Sequence, residues 1–132
     1  IAHTRGEKNI TFTDNFSEIA PLETVLASGS LQYLQEDFWT LIEKHSDKPK
    51  HILINMLPIY EGDEFFTLQN IGTAFCPYRI YNKHSFIQNF ERLGYNIVDY
   101  WSNPEKRCYI PLKPDHSQYG YHGMYLKLSN TH

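Results

Sequence analysis

Three short clusters in this 132-residue chain combine residue types that can hold or activate a small molecule. Asp14-Asn15 joins a carboxylate to an amide. The carboxylate can accept a hydrogen bond from an exocyclic amine, and an Asx turn is the plainer use of the same pair. Ser28-Gly29-Ser30 has no bulky side chain. A ligand can approach the backbone there, or the serines can cap a following helix. The third cluster runs from Pro58 through Tyr60 and Glu61 to Gln69. Glu61, Asp63 and Glu64 read as a solvated acidic face, or as the source of a general base if one is buried against a substrate hydroxyl. Arg79 stands among Tyr78, Ile80 and Tyr81. A guanidinium in such an apolar setting has an assigned partner, either a carboxylate of the fold or an anionic substrate group.

Other chemistries lack their signatures. No GxGxxG or GxxxxGK offers a phosphate cradle, and no GxSxG marks a hydrolase. Cys76 and Cys108 lack metal-ligand spacing and read as two reduced thiols of a cytosolic protein. The seven histidines form no HxH or HExxH pair, so no metal is expected. Twelve basic residues against fifteen acidic ones, a net charge of −3, argue against a nucleic-acid binder that works by phosphate neutralisation. The longest apolar run, Ile52 to Pro58, is interrupted by Asn55 and falls far short of the ~20 residues of a membrane helix. A cytoplasmic single domain over residues 1–132 is therefore expected.

These residues need elements to hold them. Asn9–Thr13 alternates polar and apolar, as a short strand does, and Glu23–Ala27 reads as another. Leu31, Leu34, Phe38, Leu41 and Ile42 recur at helical spacing. His51–Leu57 is a nearly all-apolar strand, as expected where both faces are covered. Ile59–Ile80 shows no period and reads as a long ordered loop, with a short hairpin around Phe65–Leu68. A helix follows from Asn82, an N-cap, to Leu93, with Gly94 just past its end. Tyr95–Trp101 is the next strand, Asn103-Pro104 a turn, and Arg107–Leu112 and Gly123–Leu128 the closing strands, joined by a polar loop with Pro114 and His116. Alternating strands and helices imply an α/β sheet, mostly parallel with an antiparallel last strand. Ligands of such sheets bind beyond the carboxyl ends of the strands, so the three clusters are expected to converge on one rim.

The segments LASGSLQYL (Leu26 to Leu34), ILINMLPIYEGDEFFTLQNIG (Ile52 to Gly72), YRIYN (Tyr78 to Asn82) and FERLGYNIVDYW (Phe90 to Trp101) together resemble a bacterial family of class I S-adenosylmethionine-dependent methyltransferases. The resemblance implies a partial Rossmann-like sheet, with Asn9–Thr13, Glu23–Ala27, His51–Leu57 and Tyr95–Trp101 as its third to sixth strands and the final hairpin supplying the seventh. In that register Asp14 and Asn15 match the adenine-contacting positions. Ser28, Gly29 and Ser30 match the segment under the methionine part of the donor. Leu57, Pro58, Tyr60 and Gln69 fall on the acceptor side, and Arg79 joins Pro58 and Gln69 as a candidate substrate-binding residue. Glu61, Tyr60 and His122 are the candidate bases. The family's glycine-rich donor loop and ribose-binding acid have no counterpart in these residues. The chain thus looks like the C-terminal portion of such an enzyme, with weak or no donor binding of its own.

The resulting expectation is a methyltransferase, or part of one, acting on a small-molecule or sugar acceptor with S-adenosylmethionine as donor and neither nucleic acid nor membrane as partner. One alternative is a non-catalytic binding module that forms a homodimer through an exposed sheet edge. Another is a different α/β enzyme whose site lies in the Ile59–Ile80 segment.

Overall fold

A computed structural model describes residues 9–110, 112–113 and 119–130. The described residues form a mixed α/β arrangement of six strands in one sheet and two helices. In chain order these are β1 (Thr24–Ser28), α1 (Phe38–Lys44), β2 (His51–Tyr60), β3 (Phe65–Asn70), β4 (Phe75–Asn82), α2 (Lys83–Arg92), β5 (Tyr95–Arg107) and β6 (Gly120–Leu128). β1 pairs parallel to the first half of β2, with Val25 opposite Ile52 and Ala27 opposite Ile54. β6 lies antiparallel between β2 and β5, so β1, β2 and β5 run one way and the last strand runs back. Beyond β1, the end of β2 pairs parallel with β4 through Ile59 and Tyr60.

The helices pack on one face of the sheet. Phe38, Trp39 and Ile42 of α1 and Phe86 and Phe90 of α2 meet Ile52, Ile54, Leu57, Ile59, Met124 and Leu126. Trp39 presents its edge to Phe86 at 5.7 Å and to Phe90 at 6.4 Å, a geometry that adds about 0.5–1.5 kcal/mol per pair to plain burial. α2 begins where the Asn82 side chain accepts from Ser85 N at 2.7 Å and stops at Gly94, whose φ of +96° suits glycine. A second, smaller cluster of Tyr78, Ile80, Cys108, Ile110 and Tyr119 lies around the β3–β4 hairpin. Among the described residues no helix is long and apolar enough to cross a membrane.

Five expectations are corrected. Asn9–Thr13 is not a strand: its alternation meets no partner strand among the described residues, and an unpaired backbone gains nothing from being extended. The helix expected from Leu31 is a 3-10 turn, Leu31–Tyr33, with α1 starting only after Asp37. The long loop after β2 is the β3–β4 hairpin, paired from Phe65–Ile80 to Asn70–Phe75. Asn103-Pro104 does not end β5. Four residues, Asn103 to Lys106, stand opposite Tyr121 alone before pairing resumes at Arg107–Gly120. Arg107 is the last residue of β5 rather than the first of a new strand, and Cys108 and Ile110 beyond it are buried without belonging to one. The expected loop with Pro114 and His116 lies outside the described residues.

Candidate functional site

β1 ends against the middle of β2, where Ser28 pairs with Asn55. The Asn55 carbonyl accepts from Gly29 N at 3.0 Å. Its side-chain Oδ1 accepts from Trp101 Nε1 at 3.0 Å and from Asn103 Nδ2 at 3.1 Å. The next residue, Met56, has φ +54°, and Gly29 has φ +63°. A non-glycine residue in the left-handed region costs roughly 1–2 kcal/mol and persists where its surroundings demand it. Here the demand is a β-bulge: the register against β6 shifts by one residue between Ile54 and Leu57. Ser28 and Ser30 are exposed on either side of Gly29. Gln32, just beyond, is buried, and its Oε1 has no hydrogen-bond partner.

A cavity of about 410 Å³ opens where β5 swings away from β6. Ser102, Asn103, Lys106, Arg107, Tyr121 and His122 contribute to its lining. The Asn103–Asn55 bond ties its wall to the Gly29 turn. His122 stacks on Tyr100 at 5.4 Å, and a Cβ added to Gly120 would come 3.3 Å from its Nε2. Burial holds the His122 pKa below the ordinary imidazole value, Lys83 adds to this, and Glu61 opposes it. The ring is therefore mostly neutral at pH 7. Its Nδ1 has no hydrogen-bond partner. Tyr100 is pushed up to about 12 by burial and by Glu61. Glu61 itself is 81% exposed and pairs with Lys83 at 3.3 Å. The fold thus groups two of the three base candidates, His122 and Glu61, around Lys83 and Tyr100.

The third candidate, Tyr60, stacks on Tyr119 and donates to the Asp63 carbonyl at 2.5 Å. Burial raises its pKa, and neither feature suits a base. Pro58 is buried opposite Tyr121. Gln69 is half-buried and accepts from the Tyr33 hydroxyl and from Cys76 Sγ. Arg79 answers the question left open above in favour of the fold's own acids. It is 8% exposed and paired with Asp37 and Glu64, and Tyr81 lies under its guanidinium at 4.7 Å. An anionic substrate group would have to displace a carboxylate there.

Asp14 and Asn15 do not join the rim. They line a separate depression with Phe16, Ser17, Lys44 and His45, beside the last turn of α1. Asn15 caps the short turn Phe16–Glu18 through Ser17 N at 3.2 Å, which is the Asx geometry. The convergence of all three clusters on one rim is therefore corrected. Without a strand at Asn9–Thr13, nothing carries Asp14 to the carboxyl side of the sheet. The residues that sequence reading passed over are Asn103, taken as a turn, and Lys83, Tyr100 and Trp101, taken as structural or not weighed. Their link to the site runs through strand pairings that local spacing does not encode. Among the described residues no three His, Cys, Asp or Glu side chains gather where they could hold a metal ion.

No family model matches the chain, and no curated protein matches it. Solved structures do. The chain superimposes on the Burkholderia thailandensis 1,6-didemethyltoxoflavin-N1-methyltransferase, solved with 1,6-didemethyltoxoflavin and S-adenosylhomocysteine, with TM-score 0.54 and 16% identity, over 98% of this chain and 55% of that one. An S-adenosylmethionine-dependent methyltransferase from Clostridium acetobutylicum gives TM-score 0.53 and 10% identity over 97% of this chain and 68% of that one. The chain thus spans about half the length of the first and two-thirds of the second. At such identities the likeness concerns the fold: over that part of their length, this chain has the α/β fold of S-adenosylmethionine-dependent methyltransferases.

Proposed function

We propose that the chain is the C-terminal part of an S-adenosylmethionine-dependent methyltransferase acting on a small-molecule acceptor. The observation that carries this reading is the Gly29 turn. It is bonded to the Asn55 bulge where β1 ends against the middle of its parallel neighbour β2, in a fold shared with methyltransferases. The donor fits two features: the turn leaves Ser28 and Ser30 exposed, and Gln32 holds an unpartnered buried oxygen beside them in sequence. When bound, S-adenosylmethionine supplies a methyl group already activated on a sulfonium. The protein's own tasks are then to align the acceptor and to remove its proton. Ser28, Gly29, Ser30 and Asn55 serve the donor side. His122 is the base, through the Nε2 that faces Gly120, because its ring is neutral at pH 7 and lines the cavity next to that turn. Glu61 favours the protonated ring and so assists.

Calorimetric titration with S-adenosylhomocysteine tests this, on the chain and on a form extended upstream where the gene permits. Binding by the extended form is expected, with loss on Gly29→Val, whose side chain cannot adopt φ +63° without strain. No binding by either form would sink the reading. The alternative of a non-catalytic module that self-associates has one observation in its favour: β1 pairs only with β2 among the described strands, and Leu26 on it is 72% exposed. Sedimentation showing a stable dimer that binds no donor would favour it.

A further inference from the structure

The β5–β6 cavity carries charge that proton removal does not require. Lys106 and Arg107 line it, and among the described residues no aspartate or glutamate does. Three other depressions each contain at least one acid: Asp14, Asp63 with Glu64, and Glu23 with Asp47. Acids outnumber bases fifteen to twelve in the whole chain, so a hollow whose described charged side chains are cations alone runs against its composition. Neither Lys106 nor Arg107 has an ion-pair partner among the described residues. Ser102 and Asn103 add short polar side chains to the same wall.

We propose that this cavity is an anion subsite that holds a phosphate group of the acceptor. Two cations match the nearly dianionic charge of a phosphate monoester at neutral pH, whereas a carboxylate would leave one cation unpaired. The planar fork of Arg107 suits two phosphate oxygens at once, and Lys106 and the Ser102 hydroxyl supply further donors. The Asn103–Asn55 bond keeps this subsite beside the Gly29 turn. A phosphorylated acceptor anchored there presents its remaining groups toward His122 and the donor side. The acceptor role rests on the methyltransferase reading, whereas the anion binding does not.

The test is an NMR titration of the 132-residue chain with inorganic phosphate, and separately with acetate at equal ionic strength. Phosphate is expected to shift the amides of Ser102 and Arg107 saturably. It is also expected to raise the titration midpoint of His122, which Lys83, Glu61 and Tyr100 also face. Lys106→Gln and Arg107→Gln are each expected to weaken phosphate binding about tenfold with unchanged circular dichroism. Lys127→Gln, on β6 outside the cavity, is expected to leave it unchanged. No saturable shift, or equal binding by wild type and both cavity variants, overturns the subsite. Acetate binding as tightly as phosphate overturns the assignment to phosphate. Phosphate binding without S-adenosylhomocysteine binding by any form breaks the donor reading and leaves the subsite standing, and the reverse result breaks the subsite alone.

Discussion

Arg79 and Arg107 each border a hollow on this molecule, and their surroundings differ. Arg79 is buried between Asp37 and Glu64, with Trp39, Phe66 and Tyr81 near its guanidinium. Arg107 is exposed, and among the described residues it is unpaired and its hollow holds no acid. The first arginine is committed to holding α1, β3 and β4 together, and the second is available. An arginine beside aromatics in sequence therefore says little about ligand binding until the reach of distant carboxylates is known. Asp37 lies 42 residues from Arg79 and Glu64 lies 15 away.

Substitution at Arg79 should separate the two most strongly. Arg79→Ala strands two partly buried carboxylates, and a stability loss of about 3 kcal/mol is expected in urea unfolding. A loss below about 0.5 kcal/mol would mean that the pair is a solvated one, and Arg79 would return as a ligand group. Next comes Gly123→Ala. A Cβ there would overlap the Trp101 indole, so a loss of about 1–3 kcal/mol is expected, with a shift in tryptophan emission as Nε1 leaves Asn55. Unchanged emission would show that the wall between the Gly29 turn and the cavity is not held by that bond. Arg107→Gln should alter stability by no more than about 0.5 kcal/mol, in contrast to Arg79. The smallest effect concerns pH. The folded-state pKa of His122 lies below its unfolded value. Its contribution is therefore fully present above about pH 6.5 and is lost as pH falls through the lower folded value. His122→Gln should flatten the fall in stability on the acid side of pH 6.5, and an unchanged slope would show that the ring is solvated.

What was legible in the sequence was whatever short-range patterning controls. The Ile-rich β2, the Asn82 cap and Gly94 stop of α2, and the antiparallel last strand all follow from neighbours within a few residues. The β3–β4 hairpin was only glimpsed. Its outward residues Phe66 and Leu68 are apolar, which hides the inside–outside alternation on which strand reading depends. Asn9–Thr13 failed the other way, because alternation alone does not supply a pairing partner. In the site, Ser28–Ser30 stood out by size, and His122 entered only as one of three residues able to take the acceptor's proton. Asn103, Lys106 and Arg107 escaped notice because a four-residue excursion opposite a single partner leaves no local mark beyond a proline.

The bulge at Met56 has a consequence for the frame of β2. Ile52 and Ile54 face the helices from even positions, whereas Leu57 and Ile59 face them from odd ones. One inserted residue switches the parity between them. Deleting Met56 would give a more regular strand and a worse protein, because either the two isoleucines or the pair after them would turn to the opposite side of the sheet. The strained residue is thus a punctuation mark, without which the two halves of one strand could not be read in the same sense.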